Sequence, residues 1–236
     1  MMESKIVGII GGMGPKATVD LMNKIINNTP AKHDQDHLHL IVDSNSQIPD
    51  RTSAIIGEGL DPTPSIVASA QRLQEAGADL LMIACNTAHF FYKAVINSVD
   101  IPVIHMPIET AKYLQEHKYN TVGLLATDGT LQSNLYQHCL NKYDIALINL
   151  NKEMQADVMK GIYSIKGGKL ETGLFYLSAV AKEVKGLGAD AIIAGCTEIP
   201  LVLQSTKQLI VVDPTEIIAK KVVHIATNMN NELLSV

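Results

Sequence analysis

Tryptophan is absent from this 236-residue chain, and phenylalanine and cysteine occur only three times each. A core without large aromatics has to be aliphatic, built from Ile, Val, Leu, Ala and Met, which suits a parallel sheet buried on both faces. Three cysteines, an odd number without close spacing, make no disulfide framework, so a reducing cytoplasm is the expected setting and the thiols are expected to stay reactive. Positive charge is in deficit as well. With 19 Lys+Arg against 24 Asp+Glu the formal net charge is -5, and no basic stripe stands out to neutralise phosphates, so neither nucleic acid nor an anionic membrane is an expected partner. No apolar run is long enough to span a bilayer. The start, MMESKIVGII, passes from a charged stub into a strand-like segment without the apolar stretch and cleavage site of a signal peptide. A chain of this length buries a core without metal or disulfide staples, and its expected partner is a small molecule.

Short β-branched runs alternate with longer helical patterns from end to end, the signature of βαβ units and a parallel sheet. Strands are expected near Ile6-Ile10, Leu38-Asp43, Leu80-Ala84, Val103-His105, Thr121-Leu125, Ala146-Asn149, Ala191-Ala194 and Leu209-Val212. Helices are expected over Thr18-Asn27, Ser65-Ala76, Ile108-Glu116, Thr130-Asn141, Lys152-Tyr163, Glu171-Leu187 and Thr215-Asn230. Two stretches read as loops, Ser44 to Pro64, rich in Pro and Gly, and Ile165-Lys169, with paired glycines. Both loops carry a cation.

The chain also resembles itself. KIVGIIGGMGP matches NTVGLLATDGT, AGADLLMIAC matches LGADAIIAGC, and IPVIHMPIETA matches LIVVDPTEIIA, three blocks in the same order. The expected architecture is therefore α/β with two pseudo-symmetric domains, each a mainly parallel sheet flanked by helices, and a site at their interface.

The middle block places Cys85 and Cys196 at the carboxyl ends of equivalent strands, where open α/β sheets bind ligands. Each cysteine is followed by what reads as a helix start, whose dipole and free N–H groups would favour thiolate. Two thiols facing each other across a cleft supply a base on one side of a carbon and an acid on the other, the pair that inversion by proton transfer requires. Their titrations would be coupled. Cys139, within LYQHCLNKY, reads as a buried structural residue. The glycines of GGMGPKAT match neither a dinucleotide fingerprint nor a P-loop and read as room for a small substrate. His33, His37 and His39 lack the acidic or cysteine partners that a metal site needs.

GGMGPKAT (Gly11-Thr18), NSQIPDRT (Asn45-Thr52), CNTAH (Cys85-His89), ATDGT (Ala126-Thr130) and GCTEIPL (Gly195-Leu201) resemble the motifs of the aspartate racemase branch of the aspartate/glutamate (Asp/Glu/hydantoin) racemase superfamily, over essentially the whole chain. Glu198 and the Gly-Met-Gly turn stand where glutamate racemases typically carry His and an acidic residue. The resemblance implies a cofactor-independent racemase acting on aspartate, with glutamate as a further candidate, and a homodimer. It also implies a last helix that returns to the N-terminal domain, hence domains over 1-102 plus 213-236 and over 103-212. Cys85 and Cys196 become the catalytic pair. Arg51 and Lys166 become the cations for the side-chain carboxylate, with Lys169 as the rival in the second loop. Physically, Arg51 offers a planar fork and Lys166 a point charge. The amides and side chains of Asn86, Thr87 and Thr197 are candidates for cradling the α-carboxylate, or for simple N-capping. Met13, Asn45 and Thr127 are candidate pocket residues. Glu198 is a candidate for polarising Cys196, and His89 for either a structural or a catalytic role. Two other classes fit the same residues: a cysteine-dependent isomerase or decarboxylase of a dicarboxylic acid, and a non-catalytic amino-acid binding protein.

Overall fold

The computed structural model describes residues 4–227. Strands β1 (Val7–Gly11), β2 (Leu40–Ser44), β3 (Leu80–Ile83) and β4 (Val103–Ile104) form one sheet, and β5 (Thr121–Leu125), β6 (Ala146–Ile148), β7 (Ala191–Ala194) and β8 (Val211–Val212) form another. All pairings are parallel, and the spatial orders are β2-β1-β3-β4 and β6-β5-β7-β8. The second order repeats the first with each strand advanced by four, so the internal resemblance of the sequence is a repeated topology. The strands expected from the sequence are all present, most of them shorter.

The crossovers are α1 (Pro15–Asn28), α2 (Arg51–Ile55), α3 (Thr63–Glu75), α4 (Tyr92–Ile96) and α5 (Met106–Glu116) in the first half. The second half has α6 (Asp128–Gln132), α7 (Leu135–Asn141), α8 (Lys152–Lys166), α9 (Leu170–Gly186) and α10 (Pro214–Thr227). Each sheet is covered on both faces, which is why its strands are nearly continuous apolar runs. One cluster joins Ile10, Ile66, Leu73 and Ile83, and another joins Ile9, Leu21, Met82, Ile218 and Val222. Every fully buried aliphatic side chain of this kind contributes about 1.5–3 kcal/mol. Through Ile218 and Val222, α10 packs beside α1, and Lys24 on α1 binds Thr215 and Asp213 at its start. The expected helical residues 228–230 lie outside the described residues.

Two expectations are corrected. The helix anticipated over Thr130-Asn141 breaks at Asn134, which takes a left-handed conformation with φ 52, as asparagine tolerates better than most residues. The break ends the first helix at Gln132 and starts a second at Leu135. In the second loop, Ile165 and Lys166 are still helical, and the turn is confined to Gly167–Lys169. No described helix is long and apolar enough to cross a membrane.

Candidate active site

The carboxyl ends of β1, β3, β5 and β7 point into one crevice between the halves. Met13 lies just beyond β1, Cys85 beyond β3, Thr127 beyond β5 and Cys196 beyond β7, and all four line a single pocket with Asp50, Arg51, Thr52, Asn86, Thr87, Lys166, Thr197 and Glu198. Room inside it is about 10 Å³, roughly one water molecule. A much larger groove of about 800 Å³ lies between α6, α7, β6 and α8. It contains neither cysteine, so chemistry rather than size locates the site.

The GGMGP turn shapes one wall. Gly12 has φ +88, and a Cβ there would fall 2.3 Å from the Asn45 carbonyl carbon. Only glycine lets the turn lie this close to the chain leaving β2. The Gly12 N–H donates to Thr18 Oγ1 at 2.9 Å, pinning the turn to α1. Asn45 serves as this backing layer and does not line the pocket; its Oδ1 accepts from the Gln47 N–H at 3.0 Å. Asn45, expected in the pocket from the sequence, here uses its side chain to close a local turn.

Arg51 opens α2, behind Asp50, whose carboxylate caps the helix by accepting from the Ser53 N–H at 2.8 Å. The guanidinium is buried and donates to three backbone carbonyls, Pro49 at 3.0 Å, Ile48 at 3.2 Å and Met13 at 3.4 Å. Its Nε has no partner among the described residues, and no carboxylate there pairs with it. The Asp50 carboxylate is felt only through space, and a buried guanidinium hydrogen-bonded to carbonyls alone is costly unless a ligand supplies a directly bonded anion. Lys166 ends α8 with its ammonium 5.6 Å from the centre of the Tyr163 ring. Burial of that ammonium opposes its charge, yet the facing Cys196, Glu198 and Cys85 outweigh this and raise its pKa. Although the lysine as a residue is largely exposed, it lines the pocket, whereas Lys169 does not.

The two cysteines are free and buried. Their surroundings differ. The Cys196 thiol donates to Glu198 Oε2 at 3.0 Å, and its pKa is pushed well up, first by burial and then by the Glu198 carboxylate, with Lys166 opposing. The expectation that a helix start favours thiolate fails here. Beyond Cys196 the chain forms only the three-residue 3-10 turn Ile199–Leu201, too short for an appreciable dipole. After Cys85 comes another 3-10 turn, Thr87–Phe91, which Asn86 precedes without capping it.

Asn86 and Thr87 are instead tied to the other half. The Thr87 hydroxyl lies 3.0 Å from that of Thr127 and 2.9 Å from that of Thr130. Asn86 Oδ1 accepts from the Tyr136 hydroxyl at 2.6 Å. Thr197 is buried and its hydroxyl is 3.4 Å from Glu198 Oε2. Asp50, Thr52, Thr130 and Tyr136 escaped sequence reasoning as site residues. The first three stood inside recognised motifs, but Tyr136 carried no local signal.

His89 does not line the pocket. Its Nδ1 is 2.8 Å from the Cys85 carbonyl oxygen and its Nε2 accepts from the Met106 N–H at 3.1 Å. The second bond makes Nε2 the acceptor, so Nδ1 carries the proton and donates. The ring therefore anchors the chain that carries Cys85, the structural of the two roles considered. Burial, with His105 beside it, pushes its pKa down to about 3, and burial pushes that of His105 to about 4. Both are charged in an unfolded chain below about pH 6.5, so the unfolded state binds more protons in this window. Their contribution is fully present above that pH and is lost as pH falls through the folded values, with a slope of about 1.4 kcal/mol per pH unit for each histidine. Urea unfolding at neutral pH and at successive steps toward pH 4 is expected to show this decline. A flat profile would mean that the rings are charged in the fold. Cys139 is buried beside Tyr136 and Leu140, its pKa raised to about 11 by that burial, consistent with a structural thiol.

Residues 10–222 match the Asp/Glu/Hydantoin racemase family. Among curated relatives, the broad specificity amino-acid racemase RacX of Bacillus subtilis is 29% identical over 223 residues, 92% of this chain and 96% of that protein. Among solved structures, Picrophilus torridus aspartate racemase superposes with a TM-score of 0.87 at 32% identity, covering 94% of both chains. Francisella tularensis glutamate racemase in complex with D-glutamate is 19% identical and shares the fold, with a TM-score of 0.67 over 98% of this chain and 86% of its own.

Proposed function

Since the chain belongs to the Asp/Glu/hydantoin racemase family, we propose that it is an aspartate racemase working by proton transfer between Cys85 and Cys196. The observation that carries the substrate assignment is the buried Arg51 guanidinium, without a carboxylate partner among the described residues, in the same pocket as both cysteines. A dicarboxylate supplies the missing anion through its side chain, with Lys166 adding a second cation. The α-carboxylate falls to the amides and polar side chains of Asn86, Thr87 and Thr197, where hydrogen bonding stabilises charge building on the α-carbon.

In one turnover the thiolate on one face takes the α-proton, and the thiol on the other face gives its proton to the carbon from the opposite side. Stereochemistry inverts and the two sulfurs exchange protonation states, ready for the reverse reaction. Cys196, raised by burial and hydrogen-bonded to Glu198, holds its proton in the resting site. Glu198 then holds the Cys196 proton in line and disfavours a doubly ionised pair. Glu198→Gln removes that negative charge, so the alkaline limb of the kcat/KM profile is expected to move to lower pH. An unmoved limb would remove Glu198 from the titrating pair.

The room between the halves, about 10 Å³, is too small for an amino acid, so this reading includes an opening of the segments bearing Arg51 and Lys166 to admit substrate. A homodimer is part of the proposal, supported by the exposed apolar side chains Leu170, Leu174 and Phe175 along α9. Free thiols at the site suit a reducing cytoplasm.

The deciding experiment is circular dichroism of the purified protein with L-aspartate in reducing buffer without added cofactor. Decay of the signal to zero with total aspartate conserved is the expected result. Consumption of the acid would favour a decarboxylase or another isomerase, and a static signal with saturable binding would favour a binding protein. The similarity to a protein named for broad specificity makes L-glutamate the second substrate to assay.

A further inference from the structure

Asn86 is 1% exposed and its Nδ2, a donor of two hydrogen bonds, is buried without a partner among the described residues. Its other end is engaged. The Tyr136 hydroxyl, reaching from α7 in the second half, donates to Oδ1 at 2.6 Å. Tyr136 is 1% exposed and the largest of the fully buried side chains, and burial raises its phenol pKa, so the hydroxyl keeps the proton that it donates to Oδ1. A carboxamide has only two planar orientations of comparable shape. With Oδ1 taken by the phenol, which also meets the Thr110 side chain, Nδ2 lies on the opposite edge of the carboxamide, unpartnered among the described residues, in a residue that lines the pocket.

We propose that Tyr136 is a positioning residue that locks the Asn86 carboxamide with Nδ2 directed at a substrate carboxylate. The proposal rests on the racemase reading for the identity of that carboxylate. Tyr136 does not line the pocket itself, so it acts only through Asn86. Without the hydroxyl the carboxamide is free to turn, and in its other orientation Oδ1 would face an anion.

The test is a double-mutant cycle of Tyr136→Phe and Asn86→Ala with aspartate. Tyr136→Phe is expected to lower kcat/KM about ten-fold, the effect of one net hydrogen bond, with a melting temperature that remains well above that of the assay. Asn86→Ala is expected to lower it at least as far, and adding Tyr136→Phe to Asn86→Ala to lower it no further. Site-specific 3-fluorotyrosine at position 136, which keeps ring and hydroxyl, is expected to restore activity to within about two-fold, the additivity error of such cycles. Normal kcat/KM in Tyr136→Phe, or losses that simply add, would overturn the proposal, because a merely structural tyrosine has no reason to be silent when Asn86 is absent. Failure of the racemase reading would show separately, as a folded wild-type protein with no turnover. The positioning is then read from the Asn86 side-chain amide resonances, which are expected to shift in Tyr136→Phe or on fluorination; an unmoved signal refutes it.

Discussion

Alanine in place of Cys85 or Cys196 is expected to lower kcat for aspartate racemisation by about 10³-fold or more, the scale on which a positioned general acid or base contributes. Each position is needed in both directions, because the group that accepts a proton from one enantiomer must return it when the other reacts. Hence the two losses should be similar even though the surroundings of the thiols differ. Both variants are expected to fold, since neither thiol bridges to another residue covalently. Solvent deuterium gives a sharper reading than rate alone. With two bases, the first D-aspartate formed in heavy water carries deuterium at the α-carbon while the remaining L-aspartate does not. Early exchange into the unreacted enantiomer, or near-normal turnover by either folded variant, would show a single base and reject the pair.

Arg51→Ala is expected to raise KM for aspartate by about 100-fold, consistent with loss of charge-assisted hydrogen bonds to a buried carboxylate. The guanidinium is oriented before substrate arrives. Carbonyls of Ile48, Pro49 and Met13 hold its two terminal nitrogens, and Asp50 fixes the start of the helix from which it projects. Arg51→Lys restores a charge but not the planar fork, so its KM should lie between those of alanine and wild type. The same substitutions should matter little for a monocarboxylic amino acid, whose side chain has nothing to offer the cation. Unchanged KM for aspartate in Arg51→Ala would leave the buried charge without a function and point to Lys166 as the main carboxylate contact. Salt is a second discriminator, since a buried ion pair is screened far less than an exposed one.

The repeated α/β order was legible in the sequence because it depends on local periodicity. Apolar β-branched runs such as Leu80–Ile83 and Ala191–Ala194 form strands wherever their two faces can be covered, and their shared flanking blocks announce the duplication. Motif spacing likewise placed Cys85, Cys196, Arg51 and Lys166 at strand ends and turns, and these four do line one pocket. Asn45 shows the limit of that reasoning. Its position beside a recognised motif did not reveal that its side chain would turn back onto the Gln47 N–H.

The fold, the family resemblance and the residue types available for chemistry were determined by the sequence itself, all of them properties of short segments. Only the tertiary structure decided how those segments face one another. It tied the His89 ring to the Met106 N–H, 17 residues on, and the Thr87 hydroxyl to those of Thr127 and Thr130 in the other half. It also brought Tyr136 to Asn86, a residue 50 positions away in the chain. The physical reason is that hydrogen bonds and desolvation act over a few ångströms of space. Distances of that kind between the halves are fixed by the packing of two sheets and their helices, and no local pattern encodes them.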